Sequence, residues 1–342
     1  MALTREQKIQ AMDIYETPAM FRNEAQMMLR EQEMELILLL GKEILYPADI
    51  LKKIEEAGIA RIPQQLLDSS YRRGVLNKKR DENNEVMYQI ADFYTRFPLF
   101  AMYEFEAYSR IPAARKKMMN EWDYEVYHSY FTEQIKLREE GYDIELPDDN
   151  FMTLEEAQEL VKSVPHISVH PCNCKVMWDI TDRPRNVCVQ FRHGDNTPWD
   201  RGYGNQITGE QCAEMLKEWN KRGLMQNGRH NPDGGFCNCD GASCYPIRMS
   251  KEHGLRGVWP RANWWIHWDA DKCVCCGNCA TVCNFDGFTA DVNGKIHFNP
   301  DNCWGCTICT NSCTGGAITK TPRTWELKEL PDDSPYKNGK AH

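Results

Sequence analysis

Eight cysteines, arranged as one pattern stated twice, constrain this chain more than any other feature. Cys273-x2-Cys276-x2-Cys279-x3-Cys283 is followed by Cys303-x2-Cys306-x2-Cys309-x3-Cys313. Two residues between successive thiols let the backbone curl while the thiolates point to a common centre, so each triplet wraps one face of an iron–sulfur cube. The fourth ligand of each cube comes from the other repeat. The spacing therefore predicts two [4Fe–4S] clusters. Cys273, Cys276, Cys279 and Cys313 surround one, and Cys303, Cys306, Cys309 and Cys283 surround the other. Zinc ribbons also use C-x2-C pairs, but zinc needs neither the third cysteine nor the fourth. Cys275 is extra to the pattern and reads as a bystander thiol.

The repeat extends beyond its thiols. Asp301-Asn-Cys303 mirrors Asp271-Lys-Cys273, and residues 288–298 read as a hairpin turning at Asn293-Gly294. On these residues the stretch 269–321 resembles the bacterial two-cluster ferredoxins. That resemblance implies a ferredoxin-like fold and the transfer of low-potential electrons. Asn284 and Thr314 stand where that family places a proline after each fourth cysteine, a departure that bears on the local turn and the cluster potential.

The chain has 16 cysteines, and none precedes Cys172. Its first residues form no apolar leader, and its longest aliphatic run, Leu36 to Leu40, is far shorter than the ~20 residues of a membrane-spanning helix. The expectation is a cytoplasmic protein. A disulfide scaffold suits short exported chains, whereas clustered thiols in a reducing compartment point to metal, and so many oxidisable thiolates suit an anaerobic setting. Beyond the repeats, Cys172, Cys174, Cys188, Cys237, Cys239 and Cys244 lie in a loop-rich region, 151–268. Four of these six suffice for a third [4Fe–4S] cluster. Zinc stays open, since Cys188-x4-His193 has zinc-ligand spacing, and so do reduced thiols without metal. His170, His193 and His230 are neighbouring donors whose ordinary role is surface or packing. Cys212 falls in an amphipathic pattern with Met215, Leu216 and Trp219 and reads as core.

Residues 1–150 read as mostly helical. The periodicity predicts one helix over 24–40, a second over 49–56 ended by Gly58, and a third over 64–73 ended by Gly74. A hairpin is expected over 75–90. Three helices then a hairpin is the order of a winged helix-turn-helix. Farther on, Thr153 with Glu156 forms a capping box, and a helix over 210–222 stops at Gly223. After residue 321 a polar tail is expected to be mobile or ordered by a partner. In outline the chain is an α+β multidomain protein: a winged-helix-like domain, a cysteine-rich middle and a ferredoxin-like end. That order, with its C-x-C and C-N-C middle, resembles the anaerobe [4Fe–4S] dicluster proteins. Asp240-Gly241 follows Cys239 where that group continues with further cysteines.

A net charge of −9 argues against broad binding to nucleic acid or anionic membrane. Arg72, Arg73, Lys78, Lys79 and Arg80 form a basic run at the position a winged helix turns to DNA phosphate. The acidic excess of the domain favours a solvated face instead. Trp259, Trp264, Trp265 and Trp268 precede the repeat and read as domain packing that shields a cluster, with a docking face as the alternative. Phosphate-binding glycine loops and radical-type C-x3-C-x2-C triplets are absent from the sequence. The expectation is an electron-transfer subunit of an oxidoreductase, working between redox partner proteins. A reductase with its reactive site in the middle region, and a redox-sensing DNA-binding regulator, are the alternatives.

Overall fold

The computed structural model describes residues 2–180, 182–228 and 234–337. Helix accounts for 43% and strand for 17%, with several small sheets and one larger one, so the chain is mixed α+β. Among the described residues no helix is long and apolar enough to cross a membrane. The chain divides into two compact units, one of residues up to Asp123 with Arg192–Gly204, the other of Tyr124–Phe191 with the chain from Asn205 onward.

The first unit opens with α1 (Arg5–Ile14), α2 (Arg22–Met28) and α3 (Glu31–Leu40). Next come α4 (Pro47–Ala57), α5 (Pro63–Arg72) and the antiparallel hairpin β1 (Leu76–Arg80) with β2 (Val86–Ile90). Then follow α6 (Phe93–Tyr103), α7 (Phe105–Ser109) and α8 (Ala113–Ser129), the division between units falling within the last. Proline opens α4 and α5, where its missing N–H costs nothing, and Gly58 ends α4 in the left-handed conformation.

The single helix expected over 24–40 is two. Leu29 and Arg30 are extended, and the Glu33 carboxylate accepts from the Arg30 amide at 2.7 Å to start α3 afresh. The break has a cause that pattern does not carry. The Met28 carbonyl accepts from the buried guanidinium groups of Arg73 (2.8 Å) and Arg96 (2.9 Å), which satisfy it in place of a helical partner. Both arginines also pair with Glu104, and Arg73 with Glu33 at 2.6 Å.

The basic run around the hairpin is largely neutralised inside this unit. Lys78 meets Asp200 at 2.7 Å, Arg80 meets Asp195 at 2.6 Å, and Arg72 lies over the Tyr203 ring.

The second unit holds α9 (Thr132–Glu139), β3 (Asn150–Met152), α10 (Leu154–Ser163), β4 (Ile167–Pro171) and α11 (Asn173–Trp178). It continues with β5 (Asn186–Gln190), β6 (Asn205–Ile207), α12 (Gly209–Lys221), β7 (Met225–Gly228), β8 (Gly235–Cys239) and α13 (Tyr245–Glu252). Six of these strands make one antiparallel sheet in the order β3-β7-β8-β5-β4-β6. Capping boxes at Thr153 and Thr208 start α10 and α12, which pack together and bury Val187, Val189, Leu216 and Cys212 in one core. Burial pushes the Cys212 thiol up to about 12, as suits a core side chain.

The repeat region adds β9 (Trp264–Trp268), α14 (Asn278–Val282), β10 (Phe288–Ala290), β11 (Ile296–Phe298), α15 (Ile308–Ser312) and β12 (Ile318–Pro322). β10 pairs with β11 around Gly294, and β12 returns to pair with β9. The chain after residue 321 is not free where it begins. The Trp325 indole donates to the Ala262 carbonyl at 2.9 Å, and Lys328 exchanges backbone bonds with Gly141 and Asp143. Of the four tryptophans, Trp259 is fully buried and donates to the Pro147 carbonyl, while Trp265 is 52% exposed.

Candidate metal centres

Sheet register assembles the middle cysteines. His170 on β4 faces Cys188 on β5, and the pairing of Val189 with Phe236 sets Cys188 opposite Cys237 on β8. Side chains two apart on a strand share a face, so Cys239 joins Cys237 on the same side. Cys172 caps α11 directly after β4, and Cys244 caps α13. The thiols form a connected set. Cys172 bonds Cys174, Cys237 bonds both Cys188 and Cys239, and Cys239 Sγ lies 3.0 Å from Cys244 Sγ. Cys174 and Cys244 are within electrostatic reach of each other and of Cys237. All six predicted thiols are thus gathered at one place.

Four further side chains at this site were not singled out by sequence. Asp148 reaches the set with its carboxyl group, which bonds the Cys237 thiol and is pushed up to about 6 by burial. Lys175, one residue beyond Cys174, is 1% exposed and pairs with Asp240 at 3.0 Å. The Cys174 hydrogen bond, with Lys175 nearby, holds the Cys172 thiol below its ordinary value. Tyr127 stands within reach of Asp148, Cys174, Cys237 and Cys244, and burial raises its phenol well above the ordinary value. None of these has a cysteine-like spacing to betray it; Lys175 and Asp240 have only their place next to Cys174 and Cys239 in the sequence.

The histidines contribute less. Buried His170 engages Ser168 Oγ through Nε2 at 2.8 Å, and burial lowers it to about 4. His193 belongs to the first unit, edge-on to Trp199 at 6.1 Å. His230 lies outside the described residues.

The repeat thiols fall into two groups of four. Cys279 is within electrostatic reach of Cys273, Cys276 and Cys313. Cys309 is within reach of Cys306, Cys303 and Cys283. Each triplet is therefore joined by the fourth cysteine of the other repeat. Backbone amides aim at the crossing thiols: Phe288 N–H donates to Cys283 Sγ (3.4 Å) and Ala317 N–H to Cys313 Sγ (3.2 Å). Such bonds favour the negatively charged sulfur and tune a bound cluster's potential. Cys273, Cys276, Cys279 and Cys313 wall a small apolar cavity with Trp268 and Ile318.

Where proline was expected, Asn284 works as a clasp. Its Nδ2 donates to the Gly223 carbonyl at 2.9 Å, and its Oδ1 accepts from the Gly241 amide at 3.0 Å. It thereby ties the end of α12 and the loop after Cys239 to the repeat. Thr314 Oγ1 instead donates to Cys276 Sγ at 3.5 Å.

One apolar cluster connects the two kinds of site. Phe151, Met225, Cys239, Cys244, Val282, Phe285, Trp304 and Ile308 pack together, with Cys237 and Cys306 against them. Thiols of the middle set and of the second repeat thus share a single dry core.

Comparison with protein-family models and with curated proteins finds no match for the chain.

Proposed function

We propose that this chain is an iron–sulfur electron-transfer protein, a subunit of an anaerobic oxidoreductase complex in the cytoplasm. Two [4Fe–4S] clusters belong to a ferredoxin-like C-terminal domain, a third to the middle cysteines, and the N-terminal helices with their hairpin form a winged-helix-like domain. The donor chemistry fits. Each repeat group offers four thiols, enough for one cube, and the middle set offers four with two to spare. When bound, the clusters supply one-electron transfer at low potential.

The observation that carries the reading is the shared core between Cys239, Cys244 and Cys306. Apolar side chains there exclude water and hold the two thiol sets apart by packed rings rather than by solvent. Beyond Cys306 the second group adjoins the first, since Cys309 is within reach of Cys279. Cys276 is exposed at the far end, where a redox partner protein reaches it. The sequence of sites is a relay from the interior of the unit to its surface.

Iron and acid-labile sulfide analysis of anaerobically purified protein, with EPR of the dithionite-reduced sample, tests it. About twelve irons and three interacting S = 1/2 centres are expected. About eight irons would confine the relay to the repeats and return the middle set to zinc or free thiols.

A second reading, a reductase with its reactive site in the middle region, has beside that region an open cleft of about 570 Å³, whose lining includes Arg183, Asp240, Lys251, Asn284 and the repeat thiol Cys283 but none of the six middle thiols. Cys172→Ser would then abolish substrate reduction while both repeat clusters stay reducible. The regulator reading has less support, because Arg73, Lys78 and Arg80 are already paired with carboxylates and offer little to DNA phosphate.

A further inference from the structure

Six thiols exceed what one cube uses, and the donor set does not end with them. A carboxylate oxygen of Asp148 and the sulfurs of Cys239 and Cys244 all lie within 4.8 Å of one another. The Cys237 thiol bonds the same carboxyl group. Asp148 keeps part of its surface in solvent while its carboxyl group is buried among the thiols.

The backbone holds it there. Asp148 has φ +49°, in the left-handed region. On one side, the Pro147 carbonyl accepts from the Trp259 indole at 2.8 Å. On the other, Asp149 pairs with Arg138 at 3.1 Å. Among the described residues no lysine or arginine pairs with Asp148 itself. A buried carboxylate without a cationic partner is costly, whereas a metal ion bound beside it supplies the missing charge.

We propose that Asp148 is a ligand of the middle metal centre, the protein ligand of one metal position, with its neighbours Cys239 and Cys244 serving the adjacent positions. This rests on the iron–sulfur reading of that site and assigns it a distinct iron. Carboxylate is a harder donor than thiolate and holds iron in such a cluster less firmly. That iron is the one released on oxidation, [4Fe–4S]2+ giving [3Fe–4S]+, Fe2+ and one electron, with ferricyanide as the added oxidant that takes the electron.

The test compares the full-length anaerobic protein with Asp148→Cys and Asp148→Asn, by iron content, ferricyanide titration followed by EPR, and Mössbauer spectroscopy. Wild type and Asp148→Cys are expected to hold about twelve irons each. Wild type should yield a three-iron signal that falls about tenfold in Asp148→Cys, where thiolate replaces carboxylate. One iron site of raised isomer shift should likewise be present in wild type and merge with the thiolate-ligated sites in Asp148→Cys. Asp148→Asn, which keeps the size without the charge, should lose iron from the middle site alone. Twelve irons with identical EPR and Mössbauer behaviour in wild type and Asp148→Cys would overturn the assignment of Asp148 while leaving the third cluster intact. About eight irons in wild type would overturn both.

Discussion

Phe285 lies parallel to Trp304, with ring centroids 4.4 Å apart and planes 8° apart. The stack sits in the core that joins Cys239 and Cys244 to Cys306, and Trp304 is only 6% exposed. Trp304→Ala would leave a cavity beside Cys306 and admit water to it. The expected loss is about 3–5 kcal/mol in a denaturant titration. Trp304→Phe, which keeps a ring against Phe285, should lose well under half of that. Equal losses in the two variants would mean that keeping a ring against Phe285 recovers nothing.

Lys175 and Asp240 form a pair that water barely touches. Burial alone would push the Asp240 carboxyl up, but Lys175 and the donors of Ser243 and Ala242 outweigh it and hold it low. Lys175→Met leaves that carboxylate buried without its cation, at a cost of about 3–5 kcal/mol. Adding Asp240→Asn should recover much of the loss. Removing the positive charge beside Cys172 and Cys239 should also make the middle centre harder to reduce, read as a more negative midpoint in a redox titration. A single-variant midpoint equal to wild type would separate Lys175 from the centre's electrostatics.

Gly305 and Cys275 occupy the same place in the two repeats, two residues after the first cysteine, and both have positive φ (+67° and +52°). A Cβ on Gly305 would meet the Trp264 carbonyl oxygen at 2.6 Å and Ala262 Cβ at 2.8 Å. Cys275 is exposed and meets no such wall. Gly305→Ala should therefore displace Cys306 and lower the iron content of the purified protein. Cys275→Gly should retain full iron and gain a few tenths of a kcal/mol to about 1 kcal/mol, because glycine adopts this conformation without strain. Loss of iron in Cys275→Gly would instead make that thiol a ligand.

Much of this was written in residue spacing, and the remainder was not for identifiable reasons. The x2-x2 spacing fixes which three thiols of each repeat can share a centre because the chain between them is too short to do otherwise, whereas the fourth, Cys283 or Cys313, joins the other repeat's group. The caps at Thr153, Thr208 and Gly58 act within one turn, so they too are legible. The register that sets Cys188 opposite Cys237 depends on strands 49 residues apart, and no local pattern encodes it. The break after Met28 depends on Arg73 and Arg96, two side chains far along the chain. Asp148 and Asn284 carry ordinary loop residues' signatures, and only the fold turns Asp148 toward the Cys237 thiol and Asn284 toward Gly223 and Gly241.

The contact between His128 and His253 predicts a pH response away from any metal ligand. Their rings stack at 5.2 Å with Nε2 atoms 3.0 Å apart, and His253 Nδ1 is 2.8 Å from the Glu139 carboxylate. Those partners assign the tautomers: Nδ1–H of His253 donates to Glu139, so its Nε2 accepts from Nε2–H of His128. Burial, and then the neighbouring His253, lower the His128 pKa below its ordinary value. As pH falls below about 6.5 the unfolded chain takes up a proton at this position before the folded one does. Stability from the neutral ring is thus present above that pH and is lost as pH falls toward the depressed folded value. His128→Phe keeps a ring against His253 but cannot titrate. Denaturation midpoints for the two proteins should converge as pH is lowered from 7.5 to 5.5, the wild type losing more; parallel pH profiles would show that the pair does not sense acid.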